Sequence, residues 1–78
     1  MTRPNLYQRD DCHLCDLALA VLAGAAVPEF DSVFIDGDAA REARYGCRVP
    51  VLCIGTRELD WPFTADAVRE CLRQAAAD

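Results

Sequence analysis

Apolar positions in this chain alternate between short extended runs and helical stripes, and each change of period marks an element. Asn5-Leu6-Tyr7 followed by the polar run Gln8 to Asp11 predicts a first strand and a loop. From Cys12 the spacing turns helical: Leu14, Leu17, Ala18, Val21, Leu22 and Ala25 recur three and four apart, opposite His13, Asp16, Ala20 and Ala23. Because even the outer stripe is largely alanine, this helix is expected to be covered over much of its surface and to stop near Gly24 to Pro28. Ser32-Val33-Phe34-Ile35 predicts a second strand, and Ala39 to Tyr45 a short helix capped by Asp36 or Asp38. Gly46 stands where a left-handed residue would end that helix. Val49 to Ile54 is nearly all apolar, the mark of a strand covered on both faces, with Pro50 at its start. Gly55-Thr56 fits a type II′ turn, so Arg57-Glu58-Leu59 should return antiparallel. Thr64 caps a last helix whose inner stripe is Val68, Cys71, Leu72 and Ala75. The order β-α-β-α-β-β-α, with a right-handed crossover first and a hairpin last, specifies an α/β domain with a mixed four-stranded sheet flanked by three helices.

Composition narrows what such a domain does. Its 78 residues form one unit, 1–78, with no repeat or linker. The eight basic residues are all arginine and the net charge is −5, which disfavours nucleic acid and anionic membranes as partners. The longest apolar stretch, Leu17 to Val27, is too short to span a bilayer, and MTRPNLYQRD lacks the layout of an export signal. A cytoplasmic location is therefore expected, where the five cysteines are reactive, metal-binding or buried rather than a disulfide framework.

Cys12-His13-Leu14-Cys15 is the sharpest feature, lying between a strand and a helix. Two thiols three residues apart on a first helical turn share a face and can close a small disulfide, while the helix N-terminus stabilises a thiolate on the first. Cys12 is then the exposed nucleophile and Cys15, one turn deeper, the resolving thiol. His13 either tunes that thiolate or is a plain exposed histidine. Val49-Pro50 reads either as an ordinary strand start or, beside a CxxC, as a cis proline that turns the Val49 backbone N–H and C=O toward an extended substrate. Arg48 and Arg9 are candidates to stabilise the thiolate or take a substrate carboxylate, or are solvated surface arginines. Cys53 and Cys71 fall on apolar stripes and read as core residues with raised thiol pKa. Cys47, three residues before Pro50, is a candidate for an alternative disulfide or for glutathionylation.

The first strand, Cys12-His13-Leu14-Cys15 opening a helix, and Tyr45-Gly46-Cys47-Arg48-Val49-Pro50-Val51-Leu52 resemble the small bacterial glutaredoxin-like members of the thioredoxin superfamily. The resemblance spans nearly the whole chain. It implies a thioredoxin-like fold and a thiol–disulfide oxidoreductase with Cys12 as nucleophile, Cys15 as resolver and Pro50 as the cis proline. No bound cofactor is implied, and the expected partner of the monomer is a disulfide-containing protein or a small-molecule thiol. Glutathione is the family's usual co-substrate, but other positions differ. His13-Leu14 stands for proline and an aromatic, Arg48 for a threonine, and Leu59-Asp60-Trp61-Pro62-Phe63-Thr64 for the Gly-Gly and acidic segment that holds glutathione.

Two other classes compete. Cys12 and Cys15 with His13 or Cys47 could surround zinc or copper, although no second CxxC or histidine pair completes a site. A non-catalytic thioredoxin-fold adapter would instead present Trp61, Pro62 and Phe63 to a protein partner, unless that cluster only seats the last helix.

Overall fold

The structure, a computed structural model, describes residues 3–27 and 29–77. Its elements are β1 (Asn5–Gln8), α1 (His13–Gly24), β2 (Asp31–Phe34), α2 (Ala39–Tyr45), β3 (Val51–Ile54), β4 (Arg57–Asp60) and α3 (Ala65–Ala77). The four strands form one sheet in the order β2-β1-β3-β4. β1 and β2 are parallel, with Leu6 opposite Ser32, while β3 runs antiparallel to both β1 and β4. The mixed sheet and three helices have the connectivity that the apolar pattern predicts.

Strand alternation divides the interior into two cores. Leu6, Leu52 and Ile54 pack with Ala18 and Leu22 of α1, Val68 and Cys71 of α3, and Phe63. On the other side of the sheet Val51 and Cys53 meet Ile35 and Tyr45, with Tyr7 and Val49 at the margin. All four residues of β3 are buried, which is why its sequence is apolar without alternation. The strand begins at Val51, after Pro50, because proline has no N–H to give the ladder.

Several boundary signals act as their chemistry requires. Asp38 caps α2, its carboxylate accepting the Arg41 N–H at 3.0 Å. Thr64 Oγ1 accepts the Ala67 N–H at 3.1 Å. Gly55, at φ +64°, opens the hairpin that Ile54 and Arg57 close. α1 ends in a Schellman arrangement, with the Ala26 N–H on the Ala23 carbonyl and the Val27 N–H on that of Leu22. Ala26 takes the left-handed position at φ +57°, and Pro28 lies outside the described residues.

Four expectations are corrected. β2 begins one residue early, at Asp31, although the Ile35 N–H still bonds the Gln8 carbonyl. Gly46 is right-handed, at φ −53°; what requires glycine is close approach, since a Cβ there would collide with the Glu42 carbonyl oxygen and lie 3.0 Å from Arg9 Nη2. Gln8, expected in a polar loop, is the last residue of β1 and is buried. α1 is turned from its predicted stripe: Cys15, Ala18, Leu22 and Ala25 are buried, while Leu14 and Leu17 are 45% and 41% exposed. Ala18, Leu22 and Ala25 pack in the larger core with residues of the sheet and of α3, where the short alanine side chains fit and two further leucines would overfill the space.

The register of α1 makes a direct test. Leu22→Ala should cost about 3 kcal/mol, a large part of the stability of so small a domain, whereas Leu17→Ala should cost less than about 1 kcal/mol. Urea midpoints of the two variants measure the difference, and similar losses would contradict this helix orientation.

Candidate active site

The site forms where β1 turns into α1. Gln8 ends the strand, Arg9 to Asp11 make the connection, and Asp11 adopts φ +52°, a conformation aspartate tolerates better than most residues. The connection is held from across the sheet: Asp36 accepts the Asp10 N–H at 2.7 Å and Arg9 Nη1 at 3.3 Å, and Glu42 takes the same guanidinium nitrogen at 3.2 Å. Of the two aspartates around Gly37, Asp38 therefore serves α2 and Asp36 serves the connection between β1 and α1. Spacing alone left those roles interchangeable.

Cys12 is the N-cap of α1. Its backbone is extended and its Sγ accepts the Cys15 N–H at 3.2 Å, while its carbonyl receives the Asp16 N–H at 3.1 Å. The first turn thus directs a free helical N–H at the sulfur of Cys12. Cys12 and Cys15 are joined as a disulfide, with Cα atoms 5.2 Å apart. Cys15 is 1% exposed, Cys12 half-buried, and His13 and Leu14 between them are exposed. Cys12 is the more exposed of the two, and Cys15 lies on the buried face of α1.

The Val49–Pro50 peptide bond is cis, as is that of Trp61–Pro62. Pro50 is fully buried and Val49 half-buried. The Val49 N–H is not free for a substrate strand, because it donates to the Tyr45 carbonyl at 3.0 Å; the Arg48 N–H bonds the same oxygen at 2.8 Å. The end of α2 runs directly into this corner and consumes both donors. Arg48 Nη2 is held by Glu58 Oε1 at 2.6 Å and Asp60 Oδ1 at 2.8 Å, and the guanidinium lies over the Tyr45 ring. Glu58 also accepts from Arg44 and from the Tyr45 hydroxyl. Arg48 above all holds the Glu58 carboxyl below its usual range, while burial pushes the Tyr45 hydroxyl up to about 12. Tyr45 in turn stacks on Tyr7 at 4.3 Å.

The other thiols separate by burial. Desolvation raises the pKa of both Cys53 and Cys71, and Cys47 is exposed and unbonded. Phe63 is buried in the larger core with Trp61 edge-on at 5.1 Å, so this pair seats α3, and only part of the expected aromatic patch reaches the surface. Among the described residues no three of the His, Cys, Asp and Glu side chains converge as metal ligands would. No helix among them is long and apolar enough to cross a membrane.

Residues 5–73 match the family described as Glutaredoxin-like domain (DUF836). The chain belongs to this glutaredoxin-like family. Two solved structures of Northeast Structural Genomics target protein XcR50 from X. campestris are similar to it. The X-ray structure is 58% identical with a TM-score of 0.86, covering 91% of this chain and 96% of its own. The solution structure is 57% identical with a TM-score of 0.85, covering 95% of each chain. No curated protein matches. The glutaredoxin-like domain has the thioredoxin-like fold that its element order specifies.

The Glu58 cluster that braces the Val49–Pro50 corner carries a pH signature. Because its folded pKa is depressed, the Glu58 contribution is present above the ordinary glutamate value of about 4.3 and is lost as pH falls through the lower folded value. Glu58→Gln should lower Tm at pH 7 by about 5 °C, equivalent to about 1 kcal/mol, and its gap from the parent should close below about pH 4. Thermal melts across pH check this, and a gap that persists at low pH would contradict it.

Proposed function

We propose that this glutaredoxin-like domain is a thiol–disulfide oxidoreductase. One observation carries the reading: a half-buried Cys12 whose sulfur caps a helix and accepts the Cys15 N–H of its first turn, paired with a Cys15 buried one turn below. Partial positive charge at a helix N-terminus favours the thiolate over the thiol, which is what a nucleophilic sulfur needs near neutral pH.

In the reduced protein the Cys12 thiolate attacks one sulfur of a substrate disulfide, forming a mixed disulfide and expelling the other substrate sulfur as a thiolate that takes up a proton. Cys15 then loses its proton and attacks the Cys12 sulfur, closing the Cys12–Cys15 disulfide and releasing the second substrate thiol. Two electrons pass from the dithiol to the substrate, and an external dithiol or thiol reductant restores the starting state. Burial of Cys15 supports its role as resolver, since only a sulfur already bonded to Cys12 comes within its reach.

Val49 and Pro50 form the wall that a substrate strand meets, with the Val49 carbonyl as its backbone partner. Arg48 acts as a positioning residue for that wall, its guanidinium being bound to Glu58 and Asp60. His13, exposed beside the nucleophile, tunes the thiolate electrostatically. A reducing cytoplasm suits such a dithiol, and the substrate is a disulfide-containing protein or small thiol.

The test is a redox equilibration of the parent, Cys12→Ser and Cys15→Ser proteins. The parent should interconvert reversibly with a dithiol buffer, Cys12→Ser should lose all exchange, and Cys15→Ser should accumulate a mixed disulfide at Cys12 detectable by mass. Exchange surviving in Cys12→Ser would overturn the assignment of the nucleophile.

A further inference from the structure

The charges of this domain are distributed in a way that composition does not reveal. Arg3 pairs with Glu29 and Asp31, Arg41 with Asp38, Arg44 with Glu58, Arg69 with Asp66 and Arg73 with Glu70. The two arginines that the sequence offers as candidates at the motif are each held by two carboxylates, Arg9 by Asp36 and Glu42, Arg48 by Glu58 and Asp60. Among the described residues the carboxylates outside any ion pair are Asp10, Asp11 and Asp16. All three are exposed, and they bracket Cys12 and Cys15 in the chain. The unpaired carboxylates among the described residues thus flank the reactive sulfurs.

Exposed apolar side chains gather at the same end. Among the described residues the large apolar ones left exposed are Leu14, Leu17 and Phe34. Leu14 lies between the two cysteines, and Leu17 is one turn further on the same side of α1. Phe34 ends β2 opposite Gln8, the residue that ends β1, and so belongs to the end of the sheet from which the motif springs.

We infer that the substrate of this site is a protein or peptide disulfide whose cysteine is flanked by basic and apolar residues, rather than glutathione. The inference rests on the oxidoreductase reading above and specifies its substrate. Carboxylates at the rim attract lysine or arginine side chains, and the leucines give those segments an apolar footing. Glutathione carries two carboxylates and a net negative charge, and the candidate arginines to receive them, Arg9 and Arg48, are already occupied by acids. An approaching cation also offsets the repulsion that Asp10, Asp11 and Asp16 exert on a thiolate at Cys12, so the correct substrate eases its own attack.

The test uses the reduced full-length protein and disulfide-bridged probe peptides that differ only beside the cysteine: Lys-Leu, Glu-Leu and Lys-Ser, with oxidised glutathione as a fourth probe. At low salt the second-order rate constant for the Lys-Leu probe should exceed that for Glu-Leu or oxidised glutathione by about tenfold or more. That ratio should shrink at 1 M salt, where the screening length falls to about 3 Å. The double variant Asp11→Asn, Asp16→Asn should reduce the ratio severalfold; asparagine also accepts the positive φ at position 11. Glu29→Gln with Asp31→Asn, the same two-charge change at the opposite end of the strands, should leave it unaltered. Leu14→Ser with Leu17→Ser should bring the Lys-Leu rate down to that of Lys-Ser. Equal rates for the three peptides, or faster reaction with glutathione, would overturn the inference. Reduction of the oxidised protein by uncharged dithiothreitol separates the two levels. Exchange without charge preference sinks the substrate assignment alone, and no exchange sinks the oxidoreductase reading and this inference with it.

Discussion

The burial of one face of α1 is the constraint from which the rest of the site follows. Cys15, Ala18, Leu22 and Ala25 form that face, and the last three pack in the larger core with Leu6 of β1, Leu52 of β3 and Val68 of α3. That packing fixes where the helix begins. It sets Cys12 as the N-cap above the end of β1 and makes Cys15 both a core residue and half of a disulfide. A bulkier residue at the fully buried position 18 would displace α1 from the core and move Cys12 with it.

Around this junction the chain uses charge as a brace. Asp36 reaches from the end of β2 to hold the backbone of Asp10 and the guanidinium of Arg9, tying the redox loop to the crossover that follows it. On the far side of the sheet, Glu58 collects Arg44, Arg48 and the Tyr45 hydroxyl, and so fixes the segment between α2 and Pro50. Gly46 lets Arg9 pass close to the end of α2, linking the two braces. Individually, partly exposed ion pairs contribute little to stability. Here their effect is positional, because two loops that converge at one end of the sheet are each anchored by carboxylates from another element.

Much of the site was legible in the chain itself. A CxxC between a strand and a helix can be read because three-residue spacing and the helix N-terminus are local properties, and the type II′ turn at Gly55 and the cap at Thr64 are equally local. The misreadings have one origin. Leu14 and Leu17 fit the apolar stripe of α1 as well as Cys15 does, and hydropathy ranks leucine as the better core residue; only the way the helix settles on the core, burying Cys15 and leaving both leucines exposed, reverses that order. Gln8 looked like the first residue of a polar loop because nothing local shows that the ladder with β2 continues through it.

The sequence by itself determined the element order, the pairing of Cys12 with Cys15 and the burial of β3, because periodicity, capping and turn chemistry act over a few residues. Tertiary structure alone decided which arginine meets which acid, and this changed the meaning of the site. Arg9 and Arg48 are free cations in the sequence and neutralised ones in the fold, since partners 27 and 33 residues away from Arg9 and 10 and 12 away from Arg48 come within reach only when the sheet assembles. The acidic, leucine-bearing mouth around the disulfide is what remains after those pairs have formed, a property of the folded surface that exists in no segment of the chain.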